Sequence, residues 1–160
     1  MVESTITNTI IALYDIINDD NLNFCQLSEN VQMYWAKFQI KSILGGKSLE
    51  KFFRSAQSLA ENMDIIFKQD WLNFSGNLDA KKIRKIANEL GFEEPVNGRE
   101  LLDIKNKRNR LAHGERTFYD IGKDYTVNDI KILSDSVQNF LEDFINKAEI
   151  FISQQQYKKI

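Results

Sequence analysis

Residues 104–118, IKNKRNRLAHGERTF, hold the side chains of this chain best suited to chemistry. Lys105, Lys107, Arg108, Arg110 and Arg116 stand there against one acid, Glu115, and beside them is His113, the single histidine of the sequence. Cations gathered so closely attract a phosphate backbone, and that attraction weakens steeply with salt. The same run would also serve as a solvated helix face. An imidazole ordinarily titrates near neutrality and can take up and return a proton, while a guanidinium keeps its charge and can stabilise negative charge developing on a phosphate. Independently of any chemistry, a cation at a helix end directly before a glycine, as His113 stands before Gly114, interacts well with the helix dipole.

Counting narrows the options. One histidine and one cysteine, Cys25, rule out a zinc site built from several such ligands and an intrachain disulfide. A Ser-His-Asp triad is arithmetically available, but no G-x-S-x-G elbow accompanies it. No metal and no cofactor is expected. The formal net charge of -2 gives no global pull toward nucleic acid, so an anionic substrate must be drawn by the local patch. The reducing compartment that a lone cysteine suits, together with the lack of a secretory leader or a membrane-length apolar run, leads to the expectation of a cytoplasmic protein with no membrane partner.

The patch lies on an expected helix over 99–112 that ends at Gly114. Leu101, Ile104, Arg108 and Leu111 recur at steps of three, four and three, so Arg108 occupies a position where an apolar stripe calls for a hydrophobe. A guanidinium there must snorkel, pair with a buried carboxylate, or line a cleft or subunit interface that takes an anion. Asn106, Asn109 and His113 make the neighbouring face polar. Residues five apart on a helix point about 140 degrees from each other, so Arg108 and His113 of one chain do not easily converge on one phosphate.

The surrounding elements also read as helices. Eleven Phe, five Tyr and two Trp in 160 residues supply a core for one domain, and a single Pro with seven Gly leaves few obligatory turns. Ile6, Ile10, Leu13 and Ile17 mark an N-terminal helix, taken as accessory within residues 1–22, ahead of a bundle core at 28–152. A helix over 28–43, buried nearly all round, precedes Gly45 and Gly46, which either end it or lie inside a longer one. A second wide stripe runs from Leu49 to Phe67. Asp79 and Gly91 cap a helix between them, a polar loop follows Gly114, and Asn128 is placed to cap a last helix marked by Ile130, Leu133, Val137, Phe140, Phe144, Ala148 and Phe151. No strand alternation appears, so the fold class is all-α, a bundle of four to six helices.

Arg108-Asn109-Arg110-Leu111-Ala112-His113-Gly114 resembles the signature of the HEPN superfamily (higher eukaryotes and prokaryotes nucleotide-binding), in which Arg, a polar residue and then His end a long helix. The LAHG context, the short loop to Asp129 and the last amphipathic helix are similar to stand-alone prokaryotic HEPN proteins of defence and toxin-antitoxin loci. The resemblance covers about residues 28–151. It implies Arg108, Asn109 and His113 as the catalytic set, with Lys105, Lys107, Arg110 and Arg116 on RNA. Ser48 to Phe52 resembles the first-helix segment of that group and makes Glu50 a candidate support for Arg108. The implied activity is metal-independent RNA cleavage, in which the ribose 2′-hydroxyl attacks the adjacent phosphate and leaves a 2′,3′-cyclic end. A homodimer through the motif helix would bring two histidines to one cleft, and an antitoxin or other partner protein is a further expectation. Two rival readings stand beside it: a catalytically silent helical module that binds a partner protein or nucleotide, and a nucleotidyl-transfer system with Tyr119 or Tyr125 as the modified residue.

Overall fold

Ile6, Ile10, Leu13 and Ile17 form a stripe that water disfavours, and all four are buried, with Tyr14, along one face of α1 (Val2–Asp19). The computed structural model describes residues 1–44, 65–72, 74 and 78–159. Within them the chain continues through α2 (Glu29–Leu44), α3 (Ala80–Leu90), α4 (Glu100–Ala112), α5 (Phe118–Gly122) and α6 (Val127–Ser153), and no strand occurs among the described residues. The fold is the all-helical bundle expected. Gly45, Gly46 and most of the stripe from Leu49 lie outside the described residues. Of its end, Ile65 and Phe67 are buried on irregular backbone rather than helix, and Ile66 faces solvent.

The helix α1 packs along α6, α2 against α3, and α4 against α6. The centre of the bundle is aromatic, with Phe140, Phe144 and Phe151 of α6 almost wholly inaccessible. Burying such a ring contributes about 1.5 to 3 kcal/mol. A second aromatic group joins α1 to α2: the Tyr14 and Tyr34 hydroxyls are 2.5 Å apart, and Phe38 stacks on Trp71. Burial pushes the Tyr34 phenol up to about 12, with the neighbouring Tyr14 hydroxyl working in the opposite direction. Asn18 acts as a clamp, donating to the Phe67 carbonyl and accepting from the Phe67 N–H, which ties residues 65–72 to α1. The helix α2 is less enclosed than its composition suggests, because Met33 is exposed while Val31, Trp35 and Ala36 are buried.

The end of the chain closes the bundle. Ser28 donates to the Tyr157 carbonyl and Lys159 to the Gln26 carbonyl, while the Tyr157 hydroxyl donates to Asp20 and Lys158 pairs with the same carboxylate. The start of α4 is set by Gly98, whose φ of +80 suits glycine and whose Cα faces the Phe140 ring. A Cβ there would lie 2.4 Å from a ring carbon.

Gly98→Ala is therefore expected to lower unfolding stability by about 2 kcal/mol or more, through both the backbone conformation and the clash. A urea titration reads this directly, and an unchanged midpoint would show that α4 does not depend on that close approach.

Candidate nucleic-acid interface

Which side of α4 meets the bundle determines what it offers to solvent. Leu101 is buried, and one turn on Lys105 also turns inward, its ammonium on the Asp79 carboxylate at 2.5 Å. Asp79 caps α3 as well, accepting from the Lys82 N–H, so one carboxylate ties the site helix to its neighbour. Burial raises the Asp79 pKa, but the Lys105 hydrogen bond and charge and the Lys82 N–H outweigh it, and the group is held below the ordinary carboxylate value. Lys107 is engaged too: it pairs with Asp103 and lies 4.4 Å from the Tyr125 ring centroid, while the Tyr125 hydroxyl donates to the same Asp103 oxygen.

With that side inward, the stripe expected to face the core meets it only at its start. Only Leu101 of it is buried; Ile104 and Arg108 are exposed and Leu111 is half-buried. Leu101 and Arg108, seven residues apart, lie within about 20 degrees of each other around the axis, so the stripe keeps one direction and its burial stops because α4 runs on past the bundle beyond the Lys105–Asp79 pair. Arg108 thus avoids burial altogether. Arg110, His113 and Arg116 are exposed with it, and none of these three arginines has a carboxylate within ion-pair distance among the described residues. Asn109 is half-buried and already in contact with its surroundings. Glu50 lies outside the described residues.

The end of α4 holds His113 in place. Gly114 adopts φ +70, its N–H reaches the Leu111 carbonyl, and the Glu115 N–H reaches the Arg110 carbonyl. This paired closure is the Schellman arrangement, and it satisfies carbonyls that the helix would leave open. His113 keeps right-handed helical backbone at φ -89 and ψ 0 and donates its N–H to the Asn109 carbonyl. Arg108 and His113 therefore share one helical frame, about 140 degrees apart around its axis.

The segment after the motif, expected to be a polar loop, contains α5. Thr117 and Asp120 form a capping box that starts it, and Thr126 with Asp129 repeats the device at α6, so Thr126 rather than Asn128 caps the last helix. The Thr117 backbone and hydroxyl hydrogen bonds hold the Asp120 carboxyl low, and the Thr126 hydroxyl and backbone do the same for Asp129. The two boxes fix a surface that sequence patterning misses. Phe118 is 82% exposed, Tyr119 78% and Val127 87%, and Ile130 and Ile132 of α6 are also open. Apolar periodicity assigns such residues to a core, and only the position of the caps shows that they lie beyond it.

A second cationic surface was also unmarked by any motif. Lys81, Lys82 and Lys85 are exposed on α3, near a cleft of about 430 Å³ lined in part by Arg84, Arg99 and Leu102. The Arg84 guanidinium is already held by the Pro95 and Asn97 carbonyls. No helix among the described residues is long and apolar enough to cross a membrane.

The depressed Asp79 carboxyl makes stability pH-dependent with a definite sign. A carboxylate lowered in the folded state contributes stability above its unfolded value, near 4, and that contribution is lost as pH falls through the lower folded value. Unfolding midpoints should drop below about pH 4, and Asp79→Asn should flatten that drop while costing about 1 to 2 kcal/mol at pH 7. An unchanged acid limb in the variant would remove Asp79 as its source.

A family model described as HEPN_MAE_28990-like HEPN covers residues 1–157, and no curated protein and no solved structure matches.

Proposed function

This chain belongs to the HEPN_MAE_28990-like HEPN family, whose members point to RNA-related, nuclease-like function, and from that premise we propose that it is a metal-independent endoribonuclease completed by a second copy of itself. The observation that carries this reading is the contrast within one basic segment. Lys105 and Lys107 are engaged in internal pairs, whereas Arg108 and His113 stand exposed at a helix end locked by the Gly114 closure.

The chemistry follows from these groups. His113 removes the proton of a ribose 2′-hydroxyl, that oxygen attacks the adjacent phosphorus, and the 5′-oxygen of the next nucleotide leaves with a proton. The products are a 2′,3′-cyclic phosphate and a 5′-hydroxyl. Arg108 stabilises the charge that builds on the phosphate oxygens, Asn109 orients the reacting groups, and Arg110 and Arg116 hold flanking phosphates. Two proton transfers at opposite oxygens are served better by two imidazoles than by one, and Arg108 and His113 diverge on their own helix. Pairing α4 with its copy across the exposed Leu102, Ile104 and Ile130 would supply the second imidazole and cover apolar surface. In this reading the protein is a cytoplasmic toxin or defence effector, held in check by a partner protein.

Cleavage of a mixed RNA pool with EDTA present tests this. The unaltered protein should yield cyclic-phosphate ends, and His113→Ala and Arg108→Ala should each lower the rate by about 100-fold or more. Because both side chains are exposed, unfolding midpoints should stay within about 0.5 kcal/mol of the unaltered protein's stability. A pool left intact by all three proteins would instead indicate a binding module.

A further inference from the structure

Phe118 and Tyr119 are the least expected side chains on this surface. Aromatic rings bury large area when they can, yet these two are 82% and 78% exposed, at consecutive positions of the five-residue α5. Their position is fixed: the Thr117–Asp120 capping box starts α5, and the Gly114 closure joins it to α4 only a few residues earlier. Phe118 stands five positions after His113, so their Cα atoms lie within about 17 Å along even a fully extended chain.

We infer that Phe118 and Tyr119 form a stacking platform for unpaired nucleobases beside the scissile phosphate, and that the substrate is consequently a single-stranded RNA segment. This deepens the nuclease reading above and rests on it. The rings sit among cations that suit a backbone tracking past them: Arg110 and Arg116 before α5 and Lys123 after it, all exposed. Glu115, Asp124 and Asp120, which its cap keeps ionised, offset part of this charge, and the exposed Arg108 adds a fourth cation to the three. Exposed rings interleaved with cations are the composition that grips single strands, each base offering a flat face whatever its identity. The core of a protein–protein contact is depleted in charge, and the aliphatic surface of Ile104, Ile130 and Ile132 fits a second copy better. Paired bases in a duplex are already stacked and cannot reach such a platform.

Binding of a 2′-fluoro single strand, which lacks the attacking hydroxyl, provides the test by fluorescence anisotropy. Phe118→Ala and Tyr119→Ala should each weaken binding by about fivefold to 100-fold, while Phe118→Tyr and Tyr119→Phe, which keep a ring, should bind as the unaltered protein does. Against a strand of equal length and charge in which the bases are replaced by abasic sites, the alanine variants should lose nothing. Equal losses on both strands, no loss on either, or a shift of the alanine variants to a smaller species in sedimentation would overturn the proposal, the last by assigning the rings to a protein contact. If His113-dependent cleavage persists in both alanine variants with unchanged strand binding, the platform fails and the nuclease reading stands. If the unaltered protein neither binds nor cleaves any strand, both fail together.

Discussion

The anchoring of the first turns of α4 against the bundle is the constraint on which the rest depends. Gly98 brings the start of the helix against Phe140, Leu101 fills the space beyond, and Lys105 reaches Asp79 at the cap of α3. Those three contacts hold its first two turns, and the remainder runs on past the bundle. Asp103, Lys107 and Tyr125 then engage one another beside it, and Arg108, Arg110 and His113 are left for solvent or a ligand. Exposure of these groups therefore follows from where along α4 the packing stops. A buried guanidinium at Arg108 would have needed a carboxylate partner; an outward one keeps its charge and its hydration until an anion arrives.

Helix punctuation carries the second half of the arrangement. Asp79, Gly91, Gly114, Thr117 and Thr126 each stop or start a helix within a few residues of the motif or its supporting elements. Individually each is worth about 1 kcal/mol. Together they hold a short helix at the surface, where two aromatic rings remain open.

Much of the fold was legible in the amino-acid sequence. Helix periodicity located α1, α3, α4 and the buried part of α6, and Asp79 and Gly91 sat where caps belong. The motif residues were legible as types, since one histidine leaves one choice of imidazole. Their setting was not. The stripe through Ile104 and Arg108 has helical spacing, yet spacing cannot tell how far along a helix the bundle reaches, and here burial ends after its first turns. The apolar pattern of α6 likewise began with Ile130, while burial begins only at Val137, because the first turns of that helix extend past the bundle. The capping boxes were readable in principle, as the repeated Thr-x-x-Asp at Thr117 and Thr126 shows, but Asn128 competed for the same role.

The central claim is that two copies of α4 share one reactive centre, and subunit mixing addresses it most directly. His113→Ala chains are added in excess to the unaltered protein, subunits are allowed to exchange, and RNA cleavage is followed against the fraction of unaltered chains. A shared centre predicts activity falling well below the proportional line, since mixed pairs lack one imidazole. Activity that tracks the unaltered fraction in strict proportion would contradict it, because each chain would then be acting alone.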